Sequence, residues 1–214
     1  MEYENDVDGD GDGDILSASF DDHKIAWYEN SGDGNFISHI ISILEEDVPS
    51  AVYAIDIDAD GDIDVLSASS RILWYENNGV EGFTQHTIAY DLNHGISVFA
   101  IDIDVLSAES WDGEISWYQN DGDQNFTPFV ITSELERASS VYAIDLDTDG
   151  DIDIVSTSYD DGKICWYEND GQENFITHLI SDEASGARIA VATDLNGDGH
   201  SDLIFGSYRQ IETV

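Results

Sequence analysis

One acidic loop recurs along the chain and constrains its fold more than any other feature. Four copies are complete, and they begin at Asp6, Asp56, Asp145 and Asp194. In each copy, oxygen-bearing side chains stand at loop positions 1, 3, 5 and 9 around a glycine-containing turn. So many neighbouring carboxylates repel one another unless a cation lies among them. Ca²⁺ suits such a loop, because it takes about 6–8 oxygen ligands in flexible geometry.

Two other interpretations of the loop are tested by its flanks. An EF-hand loop begins in the same way, but it needs a bidentate Glu at position 12 and a helix on each side. Position 12 here is Ser17, Ser67, Ser156 or Phe205, and the flanking segments have the composition of strands. We therefore reject the EF-hand and predict a strand–calcium loop–strand unit. A metal-free Asp/Gly turn is the alternative, since both residues favour turns, but repulsion among its carboxylates would destabilise it.

A second motif alternates with the loops and defines a repeat. It begins at Trp27, Trp74, Trp117 and Trp166, reads Trp-Tyr-Glu-Asn or Trp-Tyr-Gln-Asn, and is followed by a turn and a Phe. Measured at the last Asp of each loop, the repeats are 50, 40, 49 and 49 residues apart. A period of about 40–50 residues with four short strands indicates a β-propeller blade. One blade is predicted as strands at 51–55, 64–69, 72–76 and 83–88, and no segment has a long helical period.

The repeats predict the domain organisation. We predict an all-β chain with a single β-propeller domain over residues 1–214, made of four-stranded antiparallel blades, about five with the last incomplete. The repeats cover about 1–48, 49–92, 93–136, 137–186 and 187–214. Residues 1–5 would form a first strand, and 209–214 would begin a third strand of the last repeat. Either five blades close with a thin last one, or the open edge pairs with another chain in a homo-oligomer, or the chain is part of a longer array.

The third repeat has lost most of its loop. The run Ala100-Ile-Asp102-Ile-Asp104-Val lacks six residues that the second repeat has between Ile57 and Asp64, including the glycine turn. Asp102 and Asp104 remain, but two carboxylates rarely make a dedicated site. We predict no calcium there, or only weak binding.

The last complete loop resembles a known family. Residues 191–204, Val-Ala-Thr-Asp-Leu-Asn-Gly-Asp-Gly-His-Ser-Asp-Leu-Ile, resemble the FG-GAP repeat, also called the VCBS type, which is found in integrin α-subunit propellers. The resemblance extends over essentially the whole chain and implies one Ca²⁺ per complete loop, about four ions. It implies that the side chains at positions 1, 3, 5 and 9 and the carbonyl at position 7 are ligands. The chain departs from the family at Ser67-Ala-Ser69, where Gly-Ala-Pro is usual, and family members commonly have seven or eight blades.

The implied metal residues come from all four complete loops. They are Asp6, Asp8, Asp10, Asp12, Asp14, Asp56, Asp58, Asp60, Asp62, Asp64, Asp145, Asp147, Asp149, Asp151, Asp153, Asp194, Asn196, Asp198, His200 and Asp202.

The charge of the chain restricts its partners. It has 47 acidic and 6 basic residues, a net charge of −41. Such a surface repels nucleic acid and anionic membranes, so we expect no nucleic-acid partner and no membrane insertion. We expect an extracellular or cell-surface protein whose leader has been removed. The lone Cys165 cannot form a disulfide within the chain and is predicted to be a small buried residue, while bound metal would stabilise the fold instead.

Candidate catalytic residues are scarce. His39, His86 and His178 recur after the Phe of the fourth strand, with Phe129 in the equivalent place, which indicates packing. The Trp-Tyr pairs are interpreted as core between blades, with an aromatic platform for sugar rings as the alternative. Trp111 interrupts the repeat and is a candidate for a non-repeated contact.

These observations favour a non-enzymatic recognition or adhesion module for carbohydrate or protein. The alternatives are a polysaccharide-active enzyme or its accessory domain, and a structural repeat of a larger adhesin.

Overall fold

The described part of the chain is entirely β in its regular structure. The computed structural model describes residues 6–80, 82–101, 104–172 and 174–207, and the backbone of 211–213. These residues form 18 strands in five sheets, which we call blades 1 to 5 in chain order. They include no helix, and so none with the length and apolar character needed to cross a membrane. The all-β prediction is confirmed.

Within each sheet, neighbouring strands are also consecutive in the sequence. Blade 1 contains β1 (Ile15–Ser19), β2 (Lys24–Asn30) and β3 (Phe36–Ile43). Blade 2 contains β4 (Ala51–Ile55), β5 (Asp64–Ala68), β6 (Ile72–Asn77) and β7 (Phe83–Ala89). Blade 3 contains β8 (Gly95–Ile101), β9 (Asp104–Glu109), β10 (Glu114–Asn120) and β11 (Phe126–Thr132). Blade 4 contains β12 (Ala138–Ile144), β13 (Asp153–Ser158), β14 (Ile164–Asn169) and β15 (Phe175–Ser181). Blade 5 contains β16 (Ala187–Thr193), β17 (Asp202–Ser207) and β18 (Ile211–Thr213).

The two ends of the chain give blades 1 and 5 three described strands each. The strand predicted for residues 1–5 lies outside the described residues. At the other end, β18 pairs with β17 in the register Ile204↔Thr213. This strand is the third strand that the sequence predicts for the last repeat. Pairing of this edge with another chain stays a prediction.

Within a blade, burial depends on strand position. The second strands β5 and β13 are buried at every residue, because they have a neighbouring strand on each side and packed residues on both faces. The last strands of blades 1 and 4, β3 and β15, mix exposed and half-buried residues, since one edge and part of one face meet solvent. Short β-branched and aromatic segments suit this half-buried, pleated environment.

The chain divides into two compact units, Met1–Val105 with Tyr118–Thr127, and Leu106–Trp117 with Pro128–Val214. The prediction of a single domain therefore stays a prediction. In the first unit, Tyr75 packs in a cluster with Ile25 and Val65, while Trp74 packs in another with Leu66 and Tyr118. Adjacent strand residues point to opposite faces, so this Trp-Tyr pair fills two cores at once. Its predicted packing role is confirmed.

The second unit has its own core, in which Val155 and Ile164 pack with Leu203 and Phe205. Cys165 lies beside this core on β14 and is buried, with 4% of its surface exposed. Burial raises the pKa of its thiol above the ordinary value. The prediction that Cys165 is a small buried residue is confirmed.

Candidate metal centres

Each complete loop is held by the same hydrogen bonds, beginning at position 1. Glycine N–H groups at position 6 donate to the position 1 carboxylates, at N–O distances of 2.9–3.2 Å; the pairs are Gly11–Asp6, Gly61–Asp56, Gly150–Asp145 and Gly199–Asp194. These glycines have φ between 88° and 100°, a region that residues with a Cβ rarely adopt. The loop therefore requires glycine where the sequence has it.

Positions 3 and 5 fold the turn inwards. In loop 2 (residues 56–64), Asp60 N–H donates to Asp58 Oδ1 at 3.3 Å, and Asp62 N–H donates to Asp60 Oδ1 at 2.9 Å. The same two bonds recur in the loops that begin at Asp6, Asp145 and Asp194. Each side chain bonds the backbone two residues onward, as in an Asx turn.

Position 9 joins the loop to the third strand of its blade. Asp64 is fully buried; its Oδ2 accepts Ile57 N–H at 3.2 Å and its Oδ1 accepts Asn77 N–H at 2.7 Å. Asn77 is the Asn of the Trp-Tyr-Glu-Asn motif, and its Nδ2 donates to Ile63 O at 3.0 Å. The same hydrogen bond from the Asn N–H to the position 9 carboxylate, at 2.8 Å, recurs in two other loops, where Asn30 donates to Asp14 and Asn169 donates to Asp153. This role of the Asn was not predicted from the sequence, although its presence in all four motifs was the available signal.

Three loops bring carboxylates together closely enough to hold a cation. One oxygen from each member lies within 4.8 Å of the others in the three clusters Asp6–Asp8–Asp10, Asp56–Asp58–Asp64 and Asp145–Asp147–Asp149. Asp6 Oδ1 and Asp145 Oδ1 are buried and accept no hydrogen bond within the described residues. A buried carboxylate oxygen without a partner is costly. The donor set is all oxygen, which suits a hard cation such as Ca²⁺ or Mg²⁺.

The fourth complete loop keeps the frame with a different donor set. Position 3 is Asn196, whose amide oxygen accepts Asp198 N–H at 2.9 Å. Asp202 at position 9 accepts Leu195 N–H at 3.0 Å. Asp194 and His200 complete the predicted set, and the ligand role of these residues stays a prediction.

The side chains at position 7 lie against the turn after the third strand. A Cβ on Gly32, Gly79 or Gly171 would overlap the carboxylate of Asp12, Asp62 or Asp151. The third repeat has Gly122 at the same place with a φ of 83° and no carboxylate beside it, so the glycine is required by the backbone of the turn and not by this contact. The predicted use of the position 7 backbone carbonyls as ligands stays a prediction.

Burial and backbone N–H groups shift the pKa values of several loop carboxyls. Burial raises the pKa of the Asp64 carboxyl from 3.8 to about 7, although backbone N–H groups oppose the shift. Burial also raises the pKa of Asp14, and burial together with the charge of Asp60 raises the pKa of Asp58. In the last loop, the N–H of Gly199 holds the pKa of Asp194 below its ordinary value. A bound cation favours the charged form and would lower the raised pKa values.

The truncated third loop keeps only part of this frame. Asp104 Oδ1 accepts Asn120 N–H at 2.8 Å, as the position 9 residues of the complete loops do. Asp102 lies outside the described residues. The shared bond explains how β9 and β10 remain in place although the glycine turn is absent.

The recurring histidines belong to a cross-strand group of three residues. His39, His86 and His178 stand opposite Trp27, Trp74 and Trp166, with ring centroids 4.4–4.5 Å apart and stacked. Their Nε2 atoms lie 2.6–2.8 Å from the carboxylates of Glu29, Glu76 and Glu168. The packing interpretation of the histidines is confirmed. The Glu partner was missed, and its signal was that the one repeat with Phe129 also has Gln119.

The fold and the acidic loops together define the class of protein: a β-propeller with acidic turn loops that could bind metal. A sequence model of the FG-GAP-like repeat matches residues 6–67, 102–156 and 145–205, so the chain belongs to the FG-GAP-like repeat family. The comparison with curated proteins gave no significant match.

Two solved propellers show the fold. A lectin of Agrocybe aegerita, described as specifically recognising non-reducing terminal N-acetylglucosamine, has a TM-score of 0.63 at 16% identity, over 94% of this chain and 58% of its own. The WD40 β-propeller domain of Doa1 has a TM-score of 0.64 at 13% identity, over 94% of this chain and 63% of its own. This chain therefore spans less than two thirds of either structure.

Proposed function

We propose that this protein is an extracellular, non-catalytic recognition module that binds Ca²⁺ in its four complete acidic loops and carbohydrate as its ligand. The observation that carries the calcium part is the pair of buried carboxylate oxygens, Asp6 Oδ1 and Asp145 Oδ1, in clusters whose other oxygens lie within 4.8 Å. A cation among them supplies the missing partner and offsets the mutual repulsion of the loop.

Calcium is the proposed ion because of the ligand chemistry and the setting. The side chains at positions 1, 3, 5 and 9 offer only carboxylate and amide oxygen, which Ca²⁺ accepts in irregular geometry, whereas Mg²⁺ demands near-ideal octahedra. Extracellular calcium modules work at about 10⁻⁴–10⁻³ M Ca²⁺. A chain of net charge −41 gains from such a medium, because bound and free cations reduce its self-repulsion.

Carbohydrate recognition is supported by the fold and by the charge. The lectin from Agrocybe aegerita has the same propeller fold, and its described ligand is a sugar. A strongly acidic surface disfavours anionic macromolecules but accepts neutral glycans. Propellers serve many functions, so this support concerns the class of ligand and not its identity.

A protein ligand is the second candidate, because several apolar side chains on the last strands of blades 1 and 4 meet solvent. Ile37 and Ile40 on β3 are 49% and 57% exposed, and Ile176 and Leu179 on β15 are 54% and 56% exposed. Apolar residues on an edge strand are typical of surfaces that pair with another chain.

The calcium part is tested by chelation. EDTA should lower the melting temperature by about 10 °C or more, since several sites that bind only the folded chain each add linkage stabilisation, and added Ca²⁺ should restore it. Titration calorimetry should count about four Ca²⁺ per chain. An unchanged melting temperature after verified metal removal would contradict a structural role for the ion.

The ligand part is tested on a glycan array with and without Ca²⁺, using the full chain. Binding to neutral glycans that weakens on chelation supports the proposal. A chain that is folded and calcium-loaded but binds no glycan contradicts the carbohydrate part and leaves the calcium part standing.

A further inference from the structure

A cavity that the repeats do not predict lies between blade 3 and the start of β15 in blade 4. It has a volume of about 350 Å³ and lies between β10, β11 and the turn before β15. It is lined by Trp117, Phe129, Val130, Ile131, Asn174 and Phe175. Binding pockets for small ligands begin at about 300 Å³ and combine aromatic walls with a few polar groups.

The cavity lies where the repeat changes its chemistry. In the three repeats with histidine, the ring stacks on the Trp at 4.4–4.5 Å and is held by a Glu. In this repeat Phe129 and Gln119 replace both partners. The Phe129 ring lies 5.4 Å from Trp117 and is tilted by 34°. Unlike the histidines, Phe129 has no ring nitrogen to pair with a carboxylate, and its ring does not stack closely on the indole.

The walls are aromatic and partly open to solvent. Phe175 meets Trp117 edge to face at 6.0 Å, so the indole contacts both Phe rings. Phe129 and Val130 are 42% and 59% exposed. Exposed aromatic and aliphatic surface around a concave site is stabilised when a ligand covers it.

One polar group is fixed at the rim. Asn174 Nδ2 donates to Asp170 Oδ2 at 3.0 Å, and Asn174 N–H donates to Asp170 Oδ1 at 3.2 Å. With its donors committed to the turn, the amide offers Oδ1 to a hydroxyl donor. A side chain held in this way loses little entropy when a ligand binds.

We propose that this cavity binds one uncharged sugar ring, with its C–H face on the Trp117–Phe129–Phe175 surface and a hydroxyl donating to Asn174 Oδ1. This inference rests on the proposed carbohydrate function and assigns it a site. A purely apolar ligand would leave the amide oxygen without a donor. A sugar acid would be repelled by a chain of net charge −41.

The test compares two double variants that exchange the chemistry of blades 2 and 3. Q119E/F129H gives blade 3 the Glu and His of the other repeats, and E76Q/H86F gives blade 2 the Gln and Phe of blade 3. Both are made in the full calcium-loaded chain and checked by thermal melting. Methyl β-N-acetylglucosaminide and methyl β-galactoside are titrated by calorimetry, with glucuronate as the charged comparison.

We expect at least one neutral glycoside to bind the unmodified chain with Kd of about 1 mM, typical of a single shallow contact. Q119E/F129H should weaken that binding at least about tenfold, while E76Q/H86F should leave it within about twofold. Glucuronate should bind more weakly than the neutral glycoside. Equal binding by the chain and Q119E/F129H would overturn this site while leaving the carbohydrate function intact. No binding of any glycoside or glycan by the folded chain would overturn both.

A second measurement on the unmodified chain remains decisive if a variant fails to fold. The chain has five tryptophans, and the Trp117 indole signal can be assigned in a ¹⁵N spectrum with Trp117→Phe. Titration with the neutral glycoside should shift this signal more than the buried Trp27 and Trp74 indoles. A glycoside that binds without moving the Trp117 signal excludes this cavity as its site.

Discussion

Blades 2 and 3 were built from the same repeat and differ at two places. Blade 2 has a complete loop with the cluster Asp56–Asp58–Asp64, and its Trp74 is covered by His86. Blade 3 lacks six residues of the loop, and its Trp117 has the tilted ring of Phe129 beside an open cavity. Both blades nevertheless have four strands.

The difference separates the elements that form a blade from those that add binding. The two blades share one hydrogen bond. In blade 2 the Asn77 N–H donates to the Asp64 carboxylate, and in blade 3 the Asn120 N–H donates to the Asp104 carboxylate. The carboxylate–Asn bond is therefore a feature of the blade itself, whereas the glycine turn between, which is absent from blade 3, is not needed to form a four-stranded blade. Repeats tolerate such local changes because each one couples mainly to its neighbours.

The largest expected difference between the two blades concerns these shared carboxylates. Asp64→Ala leaves two buried N–H groups, of Ile57 and Asn77, without acceptors and should cost about 3 kcal/mol of unfolding free energy. Asp104→Ala, at a half-buried position, should cost about 1 kcal/mol. Urea unfolding in EDTA measures both without the ion. Equal losses of unfolding free energy in the two variants would show that the hydrogen bonds of Asp64 stabilise blade 2 no more than those of Asp104 stabilise blade 3.

The pH dependence of the chelated protein sharpens the comparison. The folded pKa of Asp64 is about 7, against about 3.9 in an unfolded chain. Between these values the folded chain holds a proton that the unfolded chain lacks, so stability falls as pH rises. From pH 5 to pH 7 the loss should be about 2 kcal/mol, at 1.36 kcal/mol per unit.

Asp64→Asn should remove this part of the slope, and Ca²⁺ should flatten it in the unmodified protein. Urea titrations at both pH values, with EDTA or Ca²⁺, provide the measurement. The same slope in chelated Asp64→Asn would assign the pH dependence to other carboxyls.

Loss of one cation should be confined to one blade. Asp60→Ala removes a position 5 carboxylate that is exposed and bonds only within its turn in the described structure. It should lower the calcium stoichiometry by one and the unfolding free energy by about 1–2 kcal/mol in excess Ca²⁺. Asp104→Asn changes the remaining carboxylate of the truncated loop in blade 3, where we expect no calcium, and should leave the stoichiometry unaltered. Loss of all sites in Asp60→Ala would mean that the loops bind cooperatively.

The smallest expected effect concerns the histidine group. E76Q/H86F converts blade 2 to the chemistry of blade 3 and should cost less than about 1 kcal/mol, because half-exposed ion pairs contribute little. Thermal melting at pH 7 with Ca²⁺ measures it. A cost above about 3 kcal/mol would show that the His86–Glu76 pair is part of the folding core.

The sequence predicted the architecture well because its signals are local. The first strand of blade 2 was predicted at 51–55 and spans Ala51–Ile55. The loop glycines mark positive φ, and the apolar runs mark strands, so neither requires knowledge of distant contacts. At the site, the carboxylates at positions 1, 3 and 5 lie close together in two loops, and their role as metal ligands stays a prediction.

What the sequence could not predict depends on cross-strand register. The Glu76–His86 pair forms because Trp74 stands opposite His86, and Glu76 lies two residues further on the same face. The open space beside Phe129 depends on the tilt of one ring. Such details depend on side-chain packing, and the spacing of a sequence repeat does not determine that packing.

The burial of Cys165 has a practical consequence. A thiol with a raised pKa and 4% exposure reacts with an alkylating reagent only when β14 leaves its sheet. It is the one cysteine in the chain, so a single labelling rate reports how often the fourth blade opens. The labelling rate of Cys165 therefore measures local unfolding of the native protein with and without Ca²⁺, and no engineered cysteine is needed.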